Sequence, residues 1–213
     1  MSGQLEVIKL NDGYRDVLDS ISSSAPTPGG GSVAGLTLAH AHALTIMVAR
    51  LTVNSEKWID GHDIANEIIE TEDANLGHSI QLAQNDALAF DEVMNAYRLP
   101  KDTDAITKKT AITEATIGAA SAPLEILDSA CNLLTSITKL VPNCNVNALT
   151  DLASASELAL ASAKIASYNV KINTQYLEGY TKTDLEKKCD HKLNQCNNTM
   201  IEINNIFTER LGW

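Results

Sequence analysis

Pro26-Thr27-Pro28-Gly29-Gly30-Gly31-Ser32 runs directly into Val33–Val53, a stretch with helical composition that is apolar on nearly every side. Each proline fixes its own φ and biases the preceding residue toward extended backbone. The three glycines permit angles and close approaches that side chains would block. Ser32 is a good N-cap residue, which predicts a helix from Ser32 to about Thr52. The unpaired N–H groups and positive dipole at that helix start suit an anion or a carbonyl oxygen. The same residues also suit a tight turn that lets two helices pack closely, and the loop alone leaves both readings open. A Walker loop is excluded, because no lysine stands beside Ser32. A dinucleotide fingerprint is disfavoured, because residues 17–24 read as a helix end and polar turn rather than a strand.

Working outward, apolar residues recur at helical spacing from Leu5 to Ile21, through Val7, Leu10, Tyr14, Val17, Leu18 and Ile21. Asp60 to about Tyr97 reads as a long helix with an acidic face and a possible break at Gly77. Residues 99–103 form a connector. Asp104–Leu140 is helical with a break or kink expected at Pro123, and residues 141–147 are a polar connector. Thr150–Leu177 is a helix rich in Ala and Ser, which allows close backbone approach, and Thr183 to about Leu211 is a polar final helix. No period-two run or internal repeat is present. The expected fold is all-α, one domain over residues 1–213.

Composition agrees. Of the 213 residues, 44% are hydrophobic but only 4% aromatic, so the core must be built from Ala, Leu, Ile and Val. The formal net charge of −11 argues against nucleic acid or an anionic membrane as the main partner. Cys131, Cys144, Cys189 and Cys196 form no CxxC pair, which points to reduced thiols and a cytoplasmic setting. The first residues show no basic segment followed by an apolar one, so no signal peptide is expected. Val33–Ala49 carries His40 and His42 and reads as a core helix rather than a membrane span.

Candidate chemistry is sparse. His40 and His42, two apart on a helix, point to different sides, and no metal-binding spacing is present. Asp151 follows Asn143, Asn145, Asn147 and Thr150 at a helix opening. There it either stabilises the helix dipole or acts as a general acid or base, with asparagines such as Asn147 orienting a ligand. Asp86 either faces water or joins that site. Arg50, Lys57 and Lys101 lie near the loop and connectors, as solvated charges or as receptors for substrate carboxylates.

Several blocks occur in an order that resembles the formiminotransferase-cyclodeaminase / methenyltetrahydrofolate cyclohydrolase family, in its cyclodeaminase-like domain. They are residues 26–34, 47–52, 86–94, 97–101, 143–151 and 169–173. The resemblance implies a helical homodimer that binds folate near the glycine loop, with a tetrahydrofolate derivative as substrate and no separate cofactor or metal. It implies that Asp151 is the catalytic carboxylate and that Gly29, Gly30, Gly31 and Ser32 border the pteridine. Lys57, Lys101, Asp86 and Asn147 become candidate substrate contacts. The expected reaction is hydrolysis of 5,10-methenyltetrahydrofolate, since no formimino-transferring domain accompanies this one. Cyclodeamination of 5-formiminotetrahydrofolate comes second, and a non-catalytic folate- or anion-binding dimer third. The last draws on two departures from the family pattern, at Thr150 and at residues 54–58.

Overall fold

The computed structural model describes residues 13–212. Six helices follow one another: α1 Tyr14–Ile21, α2 Gly30–Val53, α3 His62–Tyr97, α4 Ala105–Leu140, α5 Leu149–Thr174 and α6 Gly179–Leu211. Short 3-10 turns at Glu56–Gly61 and Val146–Ala148 join α2 to α3 and α4 to α5. The all-α expectation is met. The first turns of the expected Leu5–Ile21 helix lie outside the described residues.

The apolar stretch that opened the sequence reading is the central element. α2 packs against both α3 and α5, which explains why apolar residues occur on nearly all its sides. Small residues let the neighbours close in. Ser162 on α5 donates its hydroxyl to the Ala34 carbonyl at 2.8 Å, and a side chain at Gly35 would stand 2.8 Å from the Ala83 backbone on α3. Leu38, Leu82, Ile126, Leu134, Ile137 and Leu152 fill the space between, each fully buried. Burial of such a side chain is worth about 1.5–3 kcal/mol. At the far end, Arg210 of α6 donates to the carbonyls of Val141 and Cys144 and so ties down the connector before α5.

Three local expectations are corrected. α2 begins at Gly30 rather than at Ser32, with Gly29 as its extended N-cap. Ser32 lies inside the first turn and spends its hydroxyl on another helix, as described below. Gly77 does not break α3, because an isolated glycine costs a helix only about 1 kcal/mol. α4 is not broken at Pro123, which lies inside one helix from Ala105 to Leu140. The carbonyl four residues earlier, on Ala119, loses its helical donor there. Asn173 of α5 replaces it, its amide donating to that oxygen at 2.8 Å.

One polar cluster is buried in the core. His42 on α2 holds its Nδ1 2.7 Å from Glu72 Oε2 on α3. Asn75 and Ser136 donate to the same carboxylate, each at 3.0 Å. Burial alone would push the Glu72 carboxyl up, but the His42, Asn75 and Ser136 hydrogen bonds and the His42 charge hold it below the ordinary value. A carboxylate whose pKa is lower folded than unfolded stabilises the fold above its unfolded pKa and loses that contribution as pH falls through the folded value. Wild-type protein is therefore expected to lose stability between about pH 5 and pH 3 more steeply than Glu72→Gln. Urea midpoints at the two pH values check this, and parallel losses in both proteins would remove Glu72 from the account.

Candidate functional site

The glycine loop and three helix faces enclose one cavity. Gly30, Gly31 and Ser32 supply the first-turn N–H groups of α2, which precede the first intrahelical bond from Val33 to Gly29 at 3.0 Å. Opposite them stands Asp86 of α3. Gly31 cannot carry a side chain there, because its Cβ would coincide with the Asp86 carboxylate. Ser32 donates its hydroxyl to Asp86 Oδ2 at 3.2 Å. Burial pushes the Asp86 carboxyl above its ordinary value, and hydrogen bonds from the Ser32 hydroxyl and backbone offset this only in part. A carboxyl moved in this direction is better matched to proton transfer near neutral pH than a free aspartate.

Phe90, one turn further along α3, Asn169, Ile172 and Asn173 from the end of α5, and Tyr176 in the turn just beyond it complete a cavity of about 310 Å³. An adjoining space of about 380 Å³ shares Pro26 and Phe90 and continues along α3 past Met94 to Arg98. Arg98 is exposed and has no ion-pair partner among the described residues. The cavity brings together a half-buried acid, the rings of Phe90 and Tyr176 and the amides of Asn169 and Asn173, and the adjoining space carries Asp91 and the exposed Arg98 guanidinium. A larger cavity of about 690 Å³ lies between α3, α4 and α6, but its two lysines are already paired, Lys188 with Asp184 and Lys192 with Asp128.

The expected site residues fall into two groups. Gly29, Gly30, Gly31 and Asp86 line the cavity, and Ser32 adjoins it through Asp86. Lys101 is near the same end, in the turn three residues past Arg98, but it is exposed and does not line the channel. Asp151, Asn147 and Lys57 are at the opposite end of the bundle. Asp151 sits in the first turn of α5 while Asn169 sits near its last, so about 27 Å of helical rise separates them. Within one chain, Asp151 therefore shares no cavity with the glycine loop. Asn145, beside it, is spent on structure: its backbone N–H donates to Thr52 Oγ1 and its amide to the Leu51 carbonyl. Lys57 lies over the Trp58 ring at 4.8 Å.

Sequence reading assigned no role to Phe90, Arg98, Asn169, Asn173 or Tyr176. The available signal was spacing: Asp86 and Phe90, like Asn169 and Asn173, are four apart and share a helix face. Nothing in the sequence placed those two faces against Gly31.

Comparison with known proteins agrees with the architecture. Residues 13–194 match the family model described as formiminotransferase-cyclodeaminase. Over 171 residues the chain is 32% identical to a methenyltetrahydrofolate cyclohydrolase of Methylorubrum extorquens, covering 79% of this chain and 82% of that protein. It is 26% identical to the formimidoyltransferase-cyclodeaminase of Mus musculus over 186 residues, which is 86% of this chain but only 34% of the mouse protein. The solved structure of formiminotetrahydrofolate cyclodeaminase from Thermotoga maritima superposes with a TM-score of 0.85 at 25% identity, covering 98% of this chain and 100% of that one. With residues 13–194 matched to the family model and the helical architecture shared, the chain belongs to the formiminotransferase-cyclodeaminase family.

Proposed function

We propose that this protein acts on the one-carbon unit between N5 and N10 of a tetrahydrofolate, with Asp86 rather than Asp151 as its acid and base. The observation that carries the reading is the Asp86 carboxyl, pushed up by burial and held against Gly31 and Ser32 on the wall of a cavity of about 310 Å³. Arg98, exposed in the adjoining space, suits the carboxylates of the glutamyl tail.

Cyclodeamination is the first reading, which reverses the order expected from sequence. The matched family model and the structure that superposes along the whole chain both carry cyclodeaminase names. In this reaction the formimino group of 5-formiminotetrahydrofolate enters protonated, as an amidinium whose nitrogen carries two hydrogens; N10 attacks its carbon, and Asp86 accepts the N10 proton. A tetrahedral carbon forms. Asp86 then returns the proton to the departing nitrogen, which leaves as ammonia, and the 5,10-methenyl bridge remains. Positioned proton transfer of this kind is worth about 10²–10⁴ in rate. Holding N10 against the carbon supplies a further share by proximity.

Hydrolysis of the methenyl bridge is the second reading, favoured by the 32% identical relative of similar length. There Asp86 would take a proton from the attacking water and deliver one to the departing ring nitrogen.

The near-UV absorbance of the methenyl chromophore separates the two. Supplied with 5-formiminotetrahydrofolate, a cyclodeaminase raises that band and releases one ammonia per bridge formed. Supplied with 5,10-methenyltetrahydrofolate, a cyclohydrolase removes it faster than buffer alone. If purified protein changes neither signal, the enzymatic reading fails.

A further inference from the structure

Pro123 does not line the cavity, but the carbonyl it leaves without a helical donor belongs to Ala119, which does. One N–H of the Asn173 amide goes to Ala119 O at 2.8 Å and the other to Asn169 O at 2.9 Å. Turning the amide over would set its oxygen against two carbonyl oxygens, so these partners fix which way it faces. Among the described residues its Oδ1 accepts no hydrogen bond from the protein, and it is not sealed away from the cavity that Asn173 lines. A bound molecule therefore meets an acceptor at this position. A second contact holds the same stretch of chain to α4 by other means. Leu177, just past α5, is buried with Ala120 and Leu185 in a small apolar cluster packed by Ile117 and Leu124. That cluster keeps the end of α5 on α4, whereas the bond to Ala119 decides how Asn173 is turned.

We propose that Pro123 is a positioning residue for this site: through the Ala119 carbonyl it holds the Asn173 amide with its oxygen toward the bound molecule. The inference rests on the tetrahydrofolate reading of the pocket. Any other residue at position 123 would bring a backbone N–H, and that N–H would take up the Ala119 carbonyl as in an unbroken α-helix. The Asn173 amide would then compete for an oxygen already engaged, with Asn169 O as its one uncontested acceptor. Freed in this way, the amide can turn and set its N–H groups where its oxygen was. A ligand N–H that had met an acceptor would face a donor, and both would go unsatisfied. One net hydrogen bond is worth about two- to tenfold in affinity, which sets the size of the effect. Asp86 and Ser32 stand on α3 and α2 and take no part in this chain of contacts. The change therefore falls on binding and not on proton transfer.

Isothermal titration of the full chain with 5-formyltetrahydrofolate, paired with steady-state kinetics on the substrate the protein turns over, tests this. Pro123→Ala is expected to weaken binding and raise KM by about two- to tenfold, while kcat stays within about twofold. A merely loosened fold would instead lower the active fraction, and so kcat, and leave KM alone. Replacing a proline inside a helix favours that helix. Pro123→Val, which keeps more of the ring's bulk at this buried position, is the second variant, with the same shift expected. Asn173→Ala controls for the route. Once that amide is gone, adding Pro123→Ala should weaken binding no further. The double variant should also unfold at a higher urea midpoint than Asn173→Ala alone, because the new backbone N–H satisfies the Ala119 carbonyl. Wild-type affinity in both Pro123 variants overturns the inference and leaves the folate reading standing. A loss from Pro123→Ala that is equally large in the Asn173→Ala background overturns it too, since Pro123 then acts by another route. If the wild type does not bind the ligand, the tetrahydrofolate reading fails and the inference with it.

Discussion

Asp86→Asn is expected to lower turnover by about 10²–10⁴ while making the protein harder to unfold at neutral pH. The two effects have one cause. The Asp86 carboxyl is raised above its ordinary value, chiefly by burial, so the folded state holds its proton more tightly than the unfolded chain does. A carboxyl shifted in that sense favours the fold most when pH is below its unfolded pKa. That contribution is lost as pH rises through the folded value. At neutral pH the ionised group is therefore a cost of keeping a base in the cavity. Asparagine keeps the shape and still offers Ser32 an oxygen, but it neither ionises nor accepts a proton from N10. The unfolding temperature of the wild type, followed across pH, should rise on acidification through the Asp86 pKa, and the variant should lack that rise. Asp151→Asn, about 27 Å of helix away from the cavity wall at Asn169, should leave turnover near wild type. If instead Asp151→Asn is inactive and Asp86→Asn is not, the assignment of the acid–base group is reversed.

The helices were legible because their signals are local. Apolar spacing and the Pro and Gly punctuation mark elements without reference to the rest of the chain. Asp104, expected as the first residue of its helix, stands just before α4 and caps it, accepting from the backbone N–H of Ile106 and Thr107. The glycine loop was legible as either a ligand site or a tight turn, since three successive glycines before a helix permit close approach, and it lies on a cavity in the structure. Ser32 shows where local reading stops. As an N-cap it would have bonded to its own helix, but the extended Gly29 takes that position and the hydroxyl crosses to Asp86 instead. Asp151 shows the larger limit. It sits beside asparagines at a helix start, a plausible setting for chemistry, and nothing local reveals which end of the bundle that start occupies. The answer depends on α5 lying antiparallel to α2, so that the last turns of α5 rather than its first meet Gly30. Pro123 belongs to the same class, because its effect is exerted on Ala119 and then on Asn173 in another helix.

Three glycines should respond to alanine in three different ways. At Gly35 the new Cβ would lie 2.8 Å from both the backbone nitrogen and the Cβ of Ala83, and 2.9 Å from its Cα. Backbone cannot swing aside, so α2 and α3 must separate along the seam packed by Leu38 and Leu82. Overpacking of this kind costs about 1–3 kcal/mol and can exceed that where the neighbour is rigid. Gly35→Ala is thus expected to lower the urea midpoint markedly and to reduce the yield of folded protein. At Gly31 the obstacle is the Asp86 carboxylate, the end of a side chain that can rotate away from Ser32. Gly31→Ala should therefore keep most of the stability but lose about 10² or more of the turnover, because the acid is displaced from the position that proton transfer requires. At Gly77 a Cβ meets nothing within 4 Å, and the residue lies mid-helix on α3. Gly77→Ala should stabilise by about 0.5–1 kcal/mol through helix propensity alone and leave activity unchanged. Stability and turnover measured on the same three proteins separate the seam from the site. If Gly31→Ala unfolds as readily as Gly35→Ala, the glycine at 31 serves helix packing and not the placement of Asp86.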